Sequence, residues 1–215
     1  MSQTLPGQSR LSYTAASALA EKIRQTLAPA CRRIEIAGSI RRRSAWIGDL
    51  ELVAIPIHQP GLFPGQPGVS LLDQSLDELV EAGRMLRGEK QGPRYKRFVV
   101  PGRDPGSGDR RVNVDLFIVT PATWGVQLLI RTGPADFGRR CVTRRSYGGL
   151  LRDDCRIAEG RMWRMLATDE PIPPDSKERG ELTIIDGYWH VAEPTPEEAM
   201  VFEYLGIDYL EPERR

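Results

Sequence analysis

The hydrophobic positions of this chain fall into two textures. From Ser12 to Ala28, Ala, Leu and Ile recur at helical spacing and Pro29 follows, which predicts a helix closed by the proline. Ile34 to Ala37 reads as a short strand, and the small pair Gly38-Ser39 after it opens a helical turn. Asp49 to Ile57 is almost continuously apolar beyond its first residues, the pattern of a strand buried in a sheet. Gln59 to Gly68, rich in Pro and Gly, predicts a surface loop, and Leu71 to Leu86 an amphipathic helix. Tyr95 to Val100 and Arg111 to Val119 predict two more strands, joined by the polar loop Pro101 to Asp109. Two helices should follow, over about Pro121–Arg131 and Asp136–Tyr147.

Past Gly148-Gly149 the runs become short and alternating: Cys155–Ala158, Met162–Leu166 and Leu182–Ile185. Between the last two lies Asp169 to Arg179, a loop with three prolines, and a helix from Pro196 to Leu205 closes the chain. These elements predict an α+β fold. A mixed sheet flanked by helices should occupy residues 1–147, and a smaller α/β subdomain residues 148–215.

The polar residues inside the apolar strands carry the chemistry. Asp49 and Glu51 are two apart on a predicted strand, so they should stand side by side on one face. Two such carboxylates repel each other and resist desolvation unless a cation neutralises them. Asp115, amid Val114, Leu116 and Phe117, adds a third acid from another strand. Three carboxylates on two adjacent strands can hold two Mg²⁺ ions, which keep several waters and take substrate phosphates as further ligands. The plainer alternative is that each acid pairs with one of the many arginines, including Arg41, Arg42 and Arg43 just ahead of Asp49.

Gly38-Ser39-x-Arg41-Arg42 followed by Gly48-Asp49-x-Glu51 resembles the active-site signature of the family X DNA polymerases. The stretch from Thr120 to Gly133 is similar to the helix after that family's third catalytic aspartate, which ends in a nucleotide-binding Thr-Gly turn. Leu205 to Arg215 resembles the family's closing segment. The resemblance implies a nucleotidyltransferase palm followed by a thumb-like subdomain, with Asp49, Glu51 and Asp115 as catalytic ligands of two Mg²⁺ ions, Mn²⁺ substituting. It implies triphosphate contacts from Gly38, Ser39, Arg42 and Gly48, sugar and base contacts from Thr132 and Gly133, and DNA contacts from Arg139, Arg140, Arg144 and Arg145. The substrates implied are a dNTP and a primer–template in the form of a gapped duplex, and the reaction implied is short-gap filling in DNA repair. Four residues depart from the family pattern: Glu51 stands for an Asp, Ile130-Arg131 for a Tyr-Phe pair, and Gly138 for an Asn. Neither the family's lyase domain nor its helix-hairpin-helix elements fit ahead of Ile34, so weak grip on DNA and no lyase activity are expected.

Composition changes this picture little. The 215 residues carry a net charge of +1, but Arg139 to Arg152 holds five arginines and no acid, while the last twenty-odd residues are strongly acidic. Segregated charge of this kind is the footprint of a polyanion partner. No apolar run is long enough to cross a membrane, and the first ten residues lack the apolar centre of a signal peptide. Three scattered cysteines, Cys31, Cys141 and Cys155, form no disulfide framework or zinc motif and point to a reducing cytoplasm; His58 and His190 are expected at the surface or in turns. A monomer is expected, alone or with a partner protein that supplies grip on DNA. Two other functions remain open: a template-independent nucleotidyl transferase acting on an RNA end, a protein or a small molecule, and an inactive DNA-end-binding scaffold.

Overall fold

The computed structural model describes residues 10–61, 68–104 and 108–215, and the chain is α+β. It divides into two compact units, Met1–Val119 with Pro212–Arg214, and Thr120–Glu211 with Arg215.

The first unit runs β1 (Leu11–Ser12), α1 (Tyr13–Leu27), β2 (Cys31–Ile36), α2 (Gly38–Arg41), β3 (Trp46–Ile47), β4 (Asp49–Pro56), β5 (His58–Gln59), β6 (Val69–Ser70), α3 (Leu71–Glu81), β7 (Leu86–Gln91), β8 (Tyr95–Asp104) and β9 (Gly108–Ile118). Ser12 caps α1, its hydroxyl accepting from the Ala15 N–H, and Ser70 caps α3 in the same way at Asp73. Five strands form a mixed sheet in the order β2-β4-β9-β8-β7, with β4 and β9 parallel and the other pairs antiparallel.

Period-two alternation sorts this sheet into two faces. Ile34, Leu50, Leu52, Phe98, Val100, Val112, Val114 and Leu116 enter one core cluster with Ala16, Ala20, Ile23 and Leu27 of α1 and Leu72, Leu76 and Leu79 of α3. Residues of opposite parity, among them Asp49, Glu51, Asp115 and Arg97, therefore share the other face. The core thus does more than hold the helices on the sheet. It fixes the register, because a one-residue slip would carry every acid into the apolar layer.

In this unit three features differ from expectation. The helix expected to reach Leu86 ends at Glu81, because the chain turns at Gly83 with φ +69. Leu86 then begins β7, a strand the pattern did not announce: an exposed edge strand of Leu-Arg-Gly-Glu-Lys-Gln has no apolar alternation to betray it. Of the polar loop expected over 101–109, residues 105–107 lie outside the described residues, and the others are paired backbone, the β8–β9 register continuing to Asp104 and Gly108. Of the loop expected over 59–68, residues 62–67 lie outside the described residues, and Gln59 pairs with Val69 across it.

The second unit contains α4 (Trp124–Thr132), α5 (Ala135–Val142), β10 (Cys155–Ala158), β11 (Arg161–Met165), β12 (Leu182–Ile185), β13 (Tyr188–Glu193) and α6 (Glu198–Leu205). The strands form an antiparallel sheet in the order β10-β11-β13-β12, and β13 was missed because Tyr188 and Trp189 lie next to the turn residues Asp186-Gly187. The helix expected to reach Tyr147 stops at Val142, where Thr143 turns extended and Arg144 bridges to Leu151. Val126, Leu129, Phe137 and Cys141 share a core with Met162, Val201, Phe202 and Leu205. That shared core is why α4 and α5 group with the C-terminal elements, placing the division at Val119/Thr120, whereas the sequence texture placed it at 147/148.

Cys31, Cys141 and Cys155 are buried free thiols, and burial pushes their pKa up to about 11, 12 and 12 respectively. They are inert apolar side chains at neutral pH. His190 is fully buried rather than superficial, its Nδ1 bonded to the Tyr188 carbonyl. No helix of the described residues is long and apolar enough to cross a membrane.

Candidate active site

The site grows from the register of β4 and β9. These strands are parallel, and Glu51 lies opposite Asp115 while Asp49 lies opposite Asn113. Glu51 and Asp115 are therefore neighbours across the ladder, and Asp49 stands two residues along on the same face. Asp115 is only 6 % exposed. Burial, then the negative charge of Asp115, hold the Asp49 carboxyl above the usual carboxylate range; Arg97 opposes this only in part. A divalent cation would relieve the part of this repulsion that Arg97 leaves.

Arg97 is the residue the sequence reading overlooked. It sits directly opposite Asp115 in the β8–β9 register. Its Nε donates to Asp115 Oδ1 at 2.7 Å and its Nη2 to Oδ2 at 2.8 Å, a two-pronged pair. Tyr95, two residues earlier on the same face, donates its hydroxyl to Asp115 Oδ1 at 2.7 Å. Burial and the Asp115 charge push the Tyr95 pKa up to about 12, and the same carboxylate strengthens the hold of Arg97 on its proton. The available signal was the i, i+2 placement of Tyr95 and Arg97 on a strand beside that of Asp115. Gly88 on β7 makes room for this arrangement, since a Cβ there would lie 2.8 Å from Arg97 Cγ.

On the opposite side of the acid row, β2 feeds α2, and the Ala37 N–H bonds the Glu51 carbonyl at 2.8 Å. Gly38 is buried with φ +63, and a Cβ there would strike the Glu51 carboxylate. Gly38→Ala should therefore lower stability by about 1–3 kcal/mol and displace the Glu51 oxygens. Gly48 is the contrasting case, with open space around its Cα. Gly48→Ala should leave the melting temperature within a few degrees of wild type, so any loss of nucleotide binding in that variant would report a ligand approaching the backbone. Thermal melts of the two variants beside a nucleotide titration check both expectations. Ser39 and Arg42 are half-buried, and Arg42 and Glu51 are both engaged within the chain. Arg43, at φ 55, pairs with Glu213 at 2.9 Å, a structural role.

Asp49, Glu51, Asp115, Gly38, Ser39, Arg42 and Gly48 thus all belong to the first unit, on or beside one sheet face. The other predicted residues belong to the second unit. Thr132 ends α4 and is fully buried; Gly133 caps it with φ +66. The arginine stretch is less open to a polyanion than composition implied. Arg139 pairs with Asp136 at 3.2 Å, Arg144 with Asp186 at 3.7 Å, and Arg152 with Asp154. Arg145 donates to the Leu150 and Leu205 carbonyls. Arg140 is exposed.

As a donor set, three carboxylates fit Mg²⁺, which prefers hard oxygen ligands. Among the described residues, no three His, Cys, Asp or Glu side chains already surround a common metal position. Asp115 accounts for this in part, because both its oxygens are turned to Arg97 and Tyr95. No protein-family model matches the chain, and no curated protein is significantly similar to it.

Proposed function

We propose that this protein is a metal-dependent nucleotidyl transferase that adds a deoxynucleotide to the 3′-hydroxyl of a DNA primer, with a palm formed around the five-stranded sheet and a thumb-like C-terminal part. The observation that carries this function is the acid row: Glu51 and Asp115 in register on parallel strands, with Asp49 beside them on the same face. Two Mg²⁺ ions, or Mn²⁺ in their place, held by these three residues would acidify the attacking hydroxyl and stabilise the departing pyrophosphate. The chain's own groups do the positioning. Ser39 and Arg42, with the Gly48 N–H, hold the β- and γ-phosphates of the dNTP. Arg97 and Tyr95 fix the Asp115 carboxylate, and Tyr95 keeps its proton throughout the neutral range.

A transferase acting without a template, on another acceptor, is the second candidate. It gains support from the ion pairs that tie Arg139, Arg144 and Arg152 to acids of the same chain. Primer extension on a one-nucleotide gap, each dNTP offered singly with Mg²⁺ or Mn²⁺, separates the two. Incorporation of the complementary nucleotide alone is the expected result. Incorporation of every nucleotide, or incorporation without template, would establish the second candidate, and no incorporation under either metal would overturn the polymerase.

A further inference from the structure

The two larger sheets have four edge strands, and one of them lacks the protection that the others carry. At the edges of the five-stranded sheet stand β2, with Arg32, Arg33 and Glu35, and β7, with Arg87, Glu89 and Lys90. Both also break register, β2 between Cys31 and Arg33 and β7 between Arg87 and Gln91. Charged side chains and bulges on an edge discourage the pairing of one sheet with another. In the second unit's sheet, β10 carries Arg156 at one edge, whereas β12 at the other edge reads Leu-Thr-Ile-Ile. β12 holds no charge and no proline, and its register with β13 is unbroken.

Both the backbone and the side chains of β12 present a surface outward. Among the described residues β12 pairs with β13 alone. The Ala192 N–H donates to the Glu181 carbonyl, so in this antiparallel register the odd-numbered residues of β12 bond β13. Leu182 and Ile184 therefore turn their N–H and C=O groups away from the sheet. Ile184 lies opposite Trp189, and the two side chains are 57 % and 42 % exposed. Tyr188, opposite Ile185 on the other face, is exposed as well.

An edge of this kind accepts an extended strand, and the sequence of β12 matches itself. A two-fold axis at Thr183 sets Leu182 of each copy opposite Ile184 of the other, so the outward N–H and C=O groups of both residues are paired. The same parity continues the face of Leu182, Ile184 and Trp189 from one copy to the next as an apolar stripe. The flanking acids do not oppose this arrangement, since Glu181 meets Ile185 and Asp186 meets Gly180. Each acid is also neutralised within its own chain, Glu181 by Arg179 at 2.8 Å and Asp186 by Arg156 at 3.0 Å. A net charge of +1 adds little general repulsion between copies. We propose that two copies of this chain associate through β12, antiparallel about Thr183, and join their second-unit sheets into one continuous sheet. This pairing does not depend on the transfer reaction proposed above.

Sedimentation velocity of the full chain over about 1–300 µM tests it, the range suited to the small interface that a single strand provides. The expected result is a shift from monomer to dimer across the series. Ile184→Pro removes an outward N–H without breaking the β12–β13 ladder, and Ile184→Lys supplies the charge that this edge lacks. Each should weaken dimerisation by at least about tenfold. Ile184→Lys should leave the melting temperature within a few degrees of wild type, because the side chain it replaces is exposed. Thr183→Cys should form a disulfide across the axis on air oxidation, the three native thiols being buried. A wild type that stays monomeric throughout would overturn the proposal and leave the edge to a strand of another protein. Dimerisation that neither Ile184 variant changes would overturn it too, placing the contact elsewhere. So would the absence of the cross-link in a Thr183→Cys protein that still dimerises.

Discussion

Asp115→Asn is expected to lower nucleotide incorporation by at least about 10²–10³-fold, the scale on which a single preorganised charge group at a reacting centre is worth several kcal/mol. The substitution keeps the shape of the side chain and one acceptor oxygen, so Arg97 or Tyr95 retains a partner, but it removes the charge at the centre of the row. A stability loss of about 1–3 kcal/mol should accompany it, because the two-pronged pair with Arg97 is broken. The two effects are separable by measuring single-turnover incorporation well below the melting temperature of the variant. A second readout concerns Asp49, whose carboxyl is held up by burial and by Asp115. A raised folded-state pKa means that Asp49 favours the fold below its unfolded pKa, and that this contribution is lost as pH rises through the folded value. Removing the Asp115 charge should lower the Asp49 pKa and shrink that loss, visible as a smaller fall in melting temperature between acidic and neutral pH. Incorporation within tenfold of wild type would contradict a catalytic role for Asp115.

The acids were legible in the sequence because each breaks an apolar run. A carboxylate flanked by Leu50 and Leu52, or by Val114 and Leu116, stands out against its neighbours, and period-two geometry then places it on a face. The register that sets Glu51 directly opposite Asp115 was not legible, since it depends on contacts far apart in sequence. Arg97 was missed for a related reason. Arg is common in this chain, and only the β8–β9 pairing shows that this one faces a carboxylate. The arginines of 139–152 illustrate the converse failure. Their run looked unbalanced because the acids that neutralise Arg144 and Arg139 are a distant Asp186 and an Asp136 just outside the window. Strand β7 escaped because exposed edge strands need no apolar side chains, and its residues beyond Leu86 entered no predicted element.

The largest stability effect is expected at Arg215. Its guanidinium is fully buried and donates from Nη1 to Glu198 Oε1 at 2.6 Å, with Glu198 itself only 5 % exposed. Three rings surround it, Phe202 at 5.2 Å, Tyr209 at 5.5 Å and Phe137 at 5.8 Å from Cζ to centroid, so that cation–π attraction replaces part of the lost hydration. The Tyr209 hydroxyl occupies the other Glu198 oxygen at 3.0 Å. Removing the cation alone strands a buried carboxylate, a change worth about 3–5 kcal/mol. Arg215→Met should accordingly lower the melting temperature by about 10 °C, at roughly 2–4 °C per kcal/mol for a chain of this size. Glu198→Gln should cost a similar amount, because it leaves the guanidinium without its counter-charge. The double variant Arg215→Met/Glu198→Leu is the decisive one. An apolar pair filling the same space avoids both desolvation penalties, so it should recover much of the loss and prove more stable than either single variant. Additive destabilisation in that cycle would show that the rings, and not the ion pair, hold this corner of the core.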